Sequence, residues 1–161
     1  MPQNTILQGE LERLIKQKVP FVSPTAKAEV GLMYINYLMQ NDMQQFFRTY
    51  DITSQQYNVL RILRGQHPNP ANINMIKERM LDKMCDASRI VDRLMKMDLV
   101  VKKSNNVDKR NTDVFITKQA LNLLSMIDTE LKNKKSLLNA LGDQEIDTFN
   151  QLINKILIDI K

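Results

Sequence analysis

Cysteine occurs once in the chain, at Cys85, and histidine once, at His67. A single cysteine excludes an internal disulfide and fits a reducing, cytoplasmic setting. His67 stands beside Pro68, and no cluster of partners around it suggests a metal. Neither a G-x-G-x-x-G nor a G-x-x-x-x-G-K-[ST] phosphate loop is present, so no enzyme constellation and no cofactor are implied. Glycine, with 4 residues, and proline, with 5, are scarce, which leaves room for long helices. No run of 18 apolar residues exists, so nothing is expected to span a membrane. The first residues are interrupted by Glu10, Glu12, Arg13 and Lys16, which argues against a secretory leader.

What is present is enough apolar sequence for a core and an uneven charge. The 161 residues are 43% hydrophobic, enough for one domain or two small lobes sharing a core. The formal net charge is +5. Between Asn72 and Lys118 stand 11 Lys or Arg and 7 Asp or Glu, so this stretch carries +4 and the rest of the chain only +1. A basic region on an otherwise balanced chain suits an anionic partner, nucleic acid above all, or else a solvated surface.

Periodicity predicts a mainly α protein with a small β-hairpin. A first helix is expected from about Asn4 to Lys18 and a long one from about Thr25 to Thr49. The long helix carries one stripe of Leu32, Ile35, Met39, Met43 and Phe46 and a second of Val30, Tyr34 and Tyr37. A helix apolar on two faces needs cover on both, and a second subunit is a natural cover. Thr53 and Gln56 have the spacing of a capping box. HPNP (67–70) ends the helix they open. A short helix capped by Asn72 follows, with Ile73, Ile76 and Met80 facing inward. After a tight turn, another helix is expected from about Met84 to Met97. LVVKK (99–103) and TDVFI (112–116) alternate as two strands of a hairpin. Thr117 caps a helix expected to align Leu124, Ile127, Leu131 and Leu138. In the last helix, Ile146, Phe149, Ile153, Ile156 and Ile160 form a coiled-coil-like seam suited to a dimer.

Helix, short helix, tight turn, basic-faced helix and hairpin, in that order, is a helix-turn-helix with a wing. A helix about 10–12 Å across fits the major groove of DNA. On the third helix Ala87, Ile90, Val91 and Leu94 face the core. Ser88, Arg89 and Arg93 face outward and are the direct DNA candidates. Arg89 is best placed to read guanine, although either arginine could instead bind phosphate or pair with Asp86 and Asp92. Lys83, Lys102, Lys103 and Lys109 are phosphate candidates. Arg110 is the groove-seeking candidate of the wing. Asp108 could orient its guanidinium, or the Asp-x-Arg pair could simply stabilise the loop.

The stretch SRIVDRLMKMDLVVKKSNNVDKRNTDVFITKQALNLL (88–124) resembles the MarR-type (multiple-antibiotic-resistance regulator) winged-helix transcription factors. The likeness extends over about residues 25 to 160. Ser88–Leu94 matches that family's recognition helix, Leu99–Val100 its Gly-Leu-Val, Asp108–Arg110 its wing Asp-x-Arg, and Ile116–Thr117 its Leu-Thr. Asp98 departs from the usual Gly, with an αL cap still open to Asp. Ala120 replaces a second Gly.

The resemblance implies a winged helix-turn-helix lobe over 53–117. It also implies a helical dimerisation lobe from the N-terminal helices of 1–52 and the C-terminal helices of 118–161. The implied function is a cytoplasmic, homodimeric repressor that binds a pseudo-palindromic site in double-stranded DNA and responds to a small-molecule effector. The alternative is a winged-helix protein–protein adaptor without DNA readout. Tyr34 and Tyr37 could line a ligand crevice, or be core. Cys85 is expected in the first turn of the recognition helix, where a redox role is conceivable. Neighbouring Asp82 and Asp86 oppose a thiolate, and a small, tolerated residue is the favoured reading.

Overall fold

The computed structural model describes residues 9–105 and 112–158. They form two compact units divided between Asp51 and Ile52.

In the first unit, helix α1 (Glu10–Leu14) is shorter at its C-terminal end than its periodicity suggests. Lys16 takes φ 55° and turns the chain out of the helix. Its N–H donates to the Arg13 carbonyl at 3.3 Å, and the Gln17 N–H donates to the Glu12 carbonyl at 2.8 Å. This Schellman pair satisfies terminal carbonyls that another helical turn would otherwise have used. Helix α2 (Pro24–Arg48) starts with Ser23 accepting the Ala26 N–H at 3.0 Å. Pro24 takes the first helical position, where its missing N–H costs nothing. Lys27 of α2 pairs with Glu12 of α1 at 2.7 Å. Leu32, Ile35, Tyr37 and Met39 of the two stripes remain exposed, as does Met33, which lies on neither stripe.

The second unit opens with helix α3 (Ser54–Gln66). Its capping box is complete. The Gln56 N–H donates to Thr53 Oγ1 at 3.1 Å, and the Thr53 N–H donates to Gln56 Oε1 at 2.8 Å. After the HPNP break come strand β1 (Ala71–Asn72) and helix α4 (Ile73–Arg79), whose cap Asn72 accepts the Met75 N–H at 2.8 Å. Helix α5 (Ala87–Lys96) leads into strands β2 (Val100–Ser104) and β3 (Thr112–Ile116). These two pair antiparallel in the expected hairpin, from Val100 opposite Ile116 to Ser104 opposite Thr112. β1 adds a third strand on the other side of β3, with Ala71 opposite Val114. Two residues are too few to show alternation, so this strand has no local signature.

Thr117 caps helix α6 (Lys118–Asn133) as expected, accepting the Ala120 N–H at 3.2 Å. The helix ends before Leu138. Lys134 is extended, and Leu138 belongs to a separate 3-10 turn (Leu137–Ala140). There Ser136 Oγ accepts the Leu138 N–H at 3.2 Å, a local bond that competes with helix continuation. Helix α7 (Asp143–Ile158) restarts after Gly142, whose N–H donates to Glu145 Oε2 at 2.9 Å.

The core of this unit seals Leu60, Leu63, Ile76, Leu94, Val114, Leu124 and Ile127 at 1% exposure or less. Burial of each such side chain stabilises the fold by roughly 1.5–3 kcal/mol. These residues come from α3, α4, α5, α6 and β3, so one core sets how α5 and the hairpin are held. Arg64 of α3 pairs with Asp128 of α6 at 2.6 Å and ties the first helix of the lobe to the one that follows the hairpin.

Candidate nucleic-acid interface

α4, the turn after it and α5 form the helix-turn-helix. The turn is held from three sides. The Leu81 N–H donates to Asn58 Oδ1 on α3 at 3.1 Å. Asp82 accepts the Met84 N–H at 3.0 Å and the Cys85 thiol at 2.9 Å. Lys83 Nζ donates to the Glu78 carbonyl and so closes the end of α4.

Helix α5 begins later than its pattern suggests. Its N-cap is Asp86, with Ala87 the first helical residue, so Met84 and Cys85 belong to the turn. The cause is a contest between two aspartates. Asp82 holds the turn in a non-helical loop, and Asp86 Oδ1 takes the Arg89 N–H at 3.1 Å as the helix cap. Cys85 therefore stands ahead of the helix rather than in its first turn. The Asp82 carboxylate, then burial, push its thiol above the ordinary range, while Gln55 works weakly the other way. The thiol in turn, with the Met84 N–H, holds the Asp82 carboxyl below its ordinary range.

On α5, Ala87, Val91 and Leu94 are buried as the helical wheel requires, whereas Ile90, expected on the same face, is half-buried and borders the cleft beside Arg89 and Arg93. Asp98, the departure from Gly, adopts φ 58°. The Asp98 N–H donates to the Met95 carbonyl at 3.1 Å and the Leu99 N–H to the Leu94 carbonyl at 3.0 Å, so an αL cap closes the helix without glycine. Ser88, Arg89 and Arg93 are exposed on the other side. The Arg89 side chain is 82% exposed, with its Nε 3.2 Å from Asp86 Oδ2. Arg89 and Arg93, one helical turn apart, border a cleft of about 270 Å³ with Thr53, Gln55, Gln56, Cys85, Asp86 and Ile90. The start of α3 thus joins the outward face of α5. Thr53 reads in the sequence only as a cap, and Gln55 carries no signal at all. Only the packing of α3 on α5 makes them neighbours of the arginines.

The lysines of the hairpin differ in their surroundings. Lys102 is partly buried and pairs with Asp92 on the flank of α5. Lys103, next along β2, is exposed and lies over the Phe115 ring with its Nζ 5.3 Å from the centroid. Asp108, Lys109 and Arg110 lie outside the described residues. In the first unit, Tyr34 is half-buried, Tyr37 is exposed, and their rings stand 6.4 Å apart. No helix among the described residues is long and apolar enough to cross a membrane.

No family model and no curated protein matches the sequence. Solved structures do match. A MarR transcription factor from Planctomyces limnophilus is 27% identical, with a TM-score of 0.64 over 86% of this chain and 99% of that one. A MarR-like transcription regulator from Bacillus cereus ATCC 10987 is 17% identical, with a TM-score of 0.75 over 85% of this chain and 98% of that one. The MepR–DNA complex of S. aureus is 19% identical, with a TM-score of 0.66 over 78% of this chain and 93% of that one. With its helix-turn-helix, its three-stranded wing sheet and its Thr117-capped helix, the chain has the MarR-type winged-helix fold.

Proposed function

We propose that this chain is a cytoplasmic, dimeric transcription regulator that binds double-stranded DNA in a sequence-specific way, and that it does no catalysis. It acts as a repressor at a pseudo-palindromic operator and is released by a small-molecule effector, with Tyr34 and Tyr37 the candidate residues for the ligand crevice. The observation that carries this reading is the outward face of α5, where Ser88, Arg89 and Arg93 are exposed in a helix whose opposite face buries Ala87, Val91 and Leu94. A helix held this firmly can present a fixed set of donors to base edges. The fold shared with MepR, solved as a DNA complex, supports the same reading.

In this reading Ser88, Arg89 and Arg93 contact DNA directly, with Arg89 reading a base, and Lys83, Lys103 and Lys109 address phosphates. Lys102 could reach a phosphate only by leaving Asp92. Arg110 enters a minor groove with Asp108 orienting it. Residues 53–117 form the DNA-binding lobe, and 1–52 with 118–161 supply the dimer contacts.

Binding to duplex DNA measured against salt tests this. A regulator loses affinity steeply as salt rises, because phosphate contacts release counterions. The rival, a winged-helix adaptor without DNA readout, would bind duplex DNA little at any salt concentration and would sink the proposal.

A further inference from the structure

The turn between α4 and α5 has an unusual surface. Its backbone is tied down by Asn58, Asp82 and the Lys83–Glu78 contact. Yet its two large apolar side chains, Leu81 at 88% and Met84 at 93% exposure, stand almost wholly in solvent. A hydrogen-bonded turn that holds apolar side chains out of the nearby core leaves them available to a partner. Met84 stands two residues before Asp86, the cap of α5, and next to Lys83. Arg89, in the first turn of α5, is exposed as well. In a helix-turn-helix the N-terminal end of the recognition helix is the part that reaches the bases. An apolar side chain there meets a groove whose apolar feature is the thymine 5-methyl group.

We propose that Met84 is a specificity residue that reads thymine through its methyl group, at one position per half-site. This rests on the DNA-binding reading above. The chemistry suits methionine. Its unbranched thioether chain is flexible and polarizable, and it can follow the floor of the groove to a methyl. Arg89 fixes the frame by hydrogen bonding, and Lys83, next to Met84 in the turn, would address the adjoining phosphate on leaving the Glu78 carbonyl. Polar contacts alone would leave thymine distinguished only through its O4 acceptor, and Met84 adds the methyl.

The test starts from random duplex DNA selected on the intact protein. The selected site is then remade with deoxyuridine replacing each thymine in turn, which removes the methyl and keeps the base pair. Wild-type protein should bind about fourfold more weakly at one such position per half-site, the effect of one lost methyl contact. In Met84→Ala the same replacement should have no effect, and in Met84→Leu it should keep most of its effect. Exposure of the side chain makes an unchanged melting temperature the expected control. Replacements that weaken wild type and Met84→Ala equally would overturn the inference. So would an effect abolished by Leu81→Ala and kept by Met84→Ala. A protein that selects no DNA at all overturns the regulator reading, and this inference with it.

Discussion

Asp86 holds Arg89 twice. Its Oδ1 accepts the Arg89 backbone N–H at 3.1 Å, and its Oδ2 lies 3.2 Å from the Arg89 Nε. One carboxylate therefore both starts α5 and restrains the guanidinium that the fold points outward.

The two roles separate by substitution. Asp86→Asn keeps a capping oxygen and removes the charge, so melting temperature should hold while DNA affinity rises. Asp86→Ala loses the cap and should cost about 1 kcal/mol of stability. Arg89→Ala should cost about 1–3 kcal/mol on the preferred site and relax preference at one position per half-site. An Arg89→Ala protein with unaltered preference would remove Arg89 from base reading.

Lys102 and Lys103, adjacent on β2, should behave differently. Lys102 is paired with Asp92, half in solvent, so Lys102→Met should cost at most about 1 kcal/mol of stability and leave the salt dependence of DNA binding largely intact. Lys103→Ala should leave the melting temperature nearly unchanged and lower the salt slope by about one per phosphate contact. Arg110→Ala carries the Lys103 expectation from its place in the sequence. Affinity measured against salt, with melting curves alongside, separates the two behaviours. Equal salt slopes in wild type and Lys103→Ala would remove that lysine from the interface.

The Cys85 thiol should be a poor nucleophile at neutral pH. Its pKa is raised chiefly by Asp82, so alkylation by iodoacetamide should begin at higher pH than for a free thiol. Asp82→Asn should move that profile down. The linkage has opposite signs for the two groups. The Asp82 carboxyl is depressed, so its contribution to stability is full at neutral pH and is lost as pH falls through its folded value. Cys85 is raised, so its contribution is present below the ordinary thiol range and is lost as pH rises through its folded value. Cys85→Ser should leave both DNA affinity and the response to peroxide unchanged. Peroxide-induced release that disappears in Cys85→Ser would show the thiol to be a sensor after all.

The C-terminal helix should carry dimer contacts. Ile153 and Ile156 are 36% and 57% exposed, with Leu152 and Leu157 beside them in α7. The wild-type chain should scatter light as a dimer at micromolar concentration, and Ile153→Asp with Ile156→Asp should give monomer or unfolded chain. A wild-type monomer would defeat the expectation. Ile160, the last residue of the predicted seam, lies outside the described residues.

Helix starts were legible because their hydrogen bonds are local. Thr53 to Gln56, Asn72 to Met75 and Thr117 to Ala120 each close over three residues, so residue types three apart carry the information. The hairpin was legible for a related reason, since β-branched alternation on both sides of a polar loop allows few other pairings. Helix ends were less legible. The stop at Lys16 and the break before Leu138 turn on single backbone choices that apolar spacing does not record. The start of α5 was obscured because Asp82 and Asp86 are both able to cap, and only the folded turn assigns one to each task.

By itself, then, the sequence determined the order of the main helices and of the two hairpin strands, most of the buried face of α5 and the exposed side on which Ser88, Arg89 and Arg93 stand. Periodicity and composition were sufficient, because burial repeats with the pitch of the helix. Tertiary structure decided that β1 joins β3, that Lys102 meets Asp92, that Thr53 and Gln55 border the arginine cleft, and that Met84 is left in solvent. Each of these joins or separates groups on different elements. Their distances are set by how α3, α5 and the hairpin pack on a shared core, and no local pattern encodes that packing.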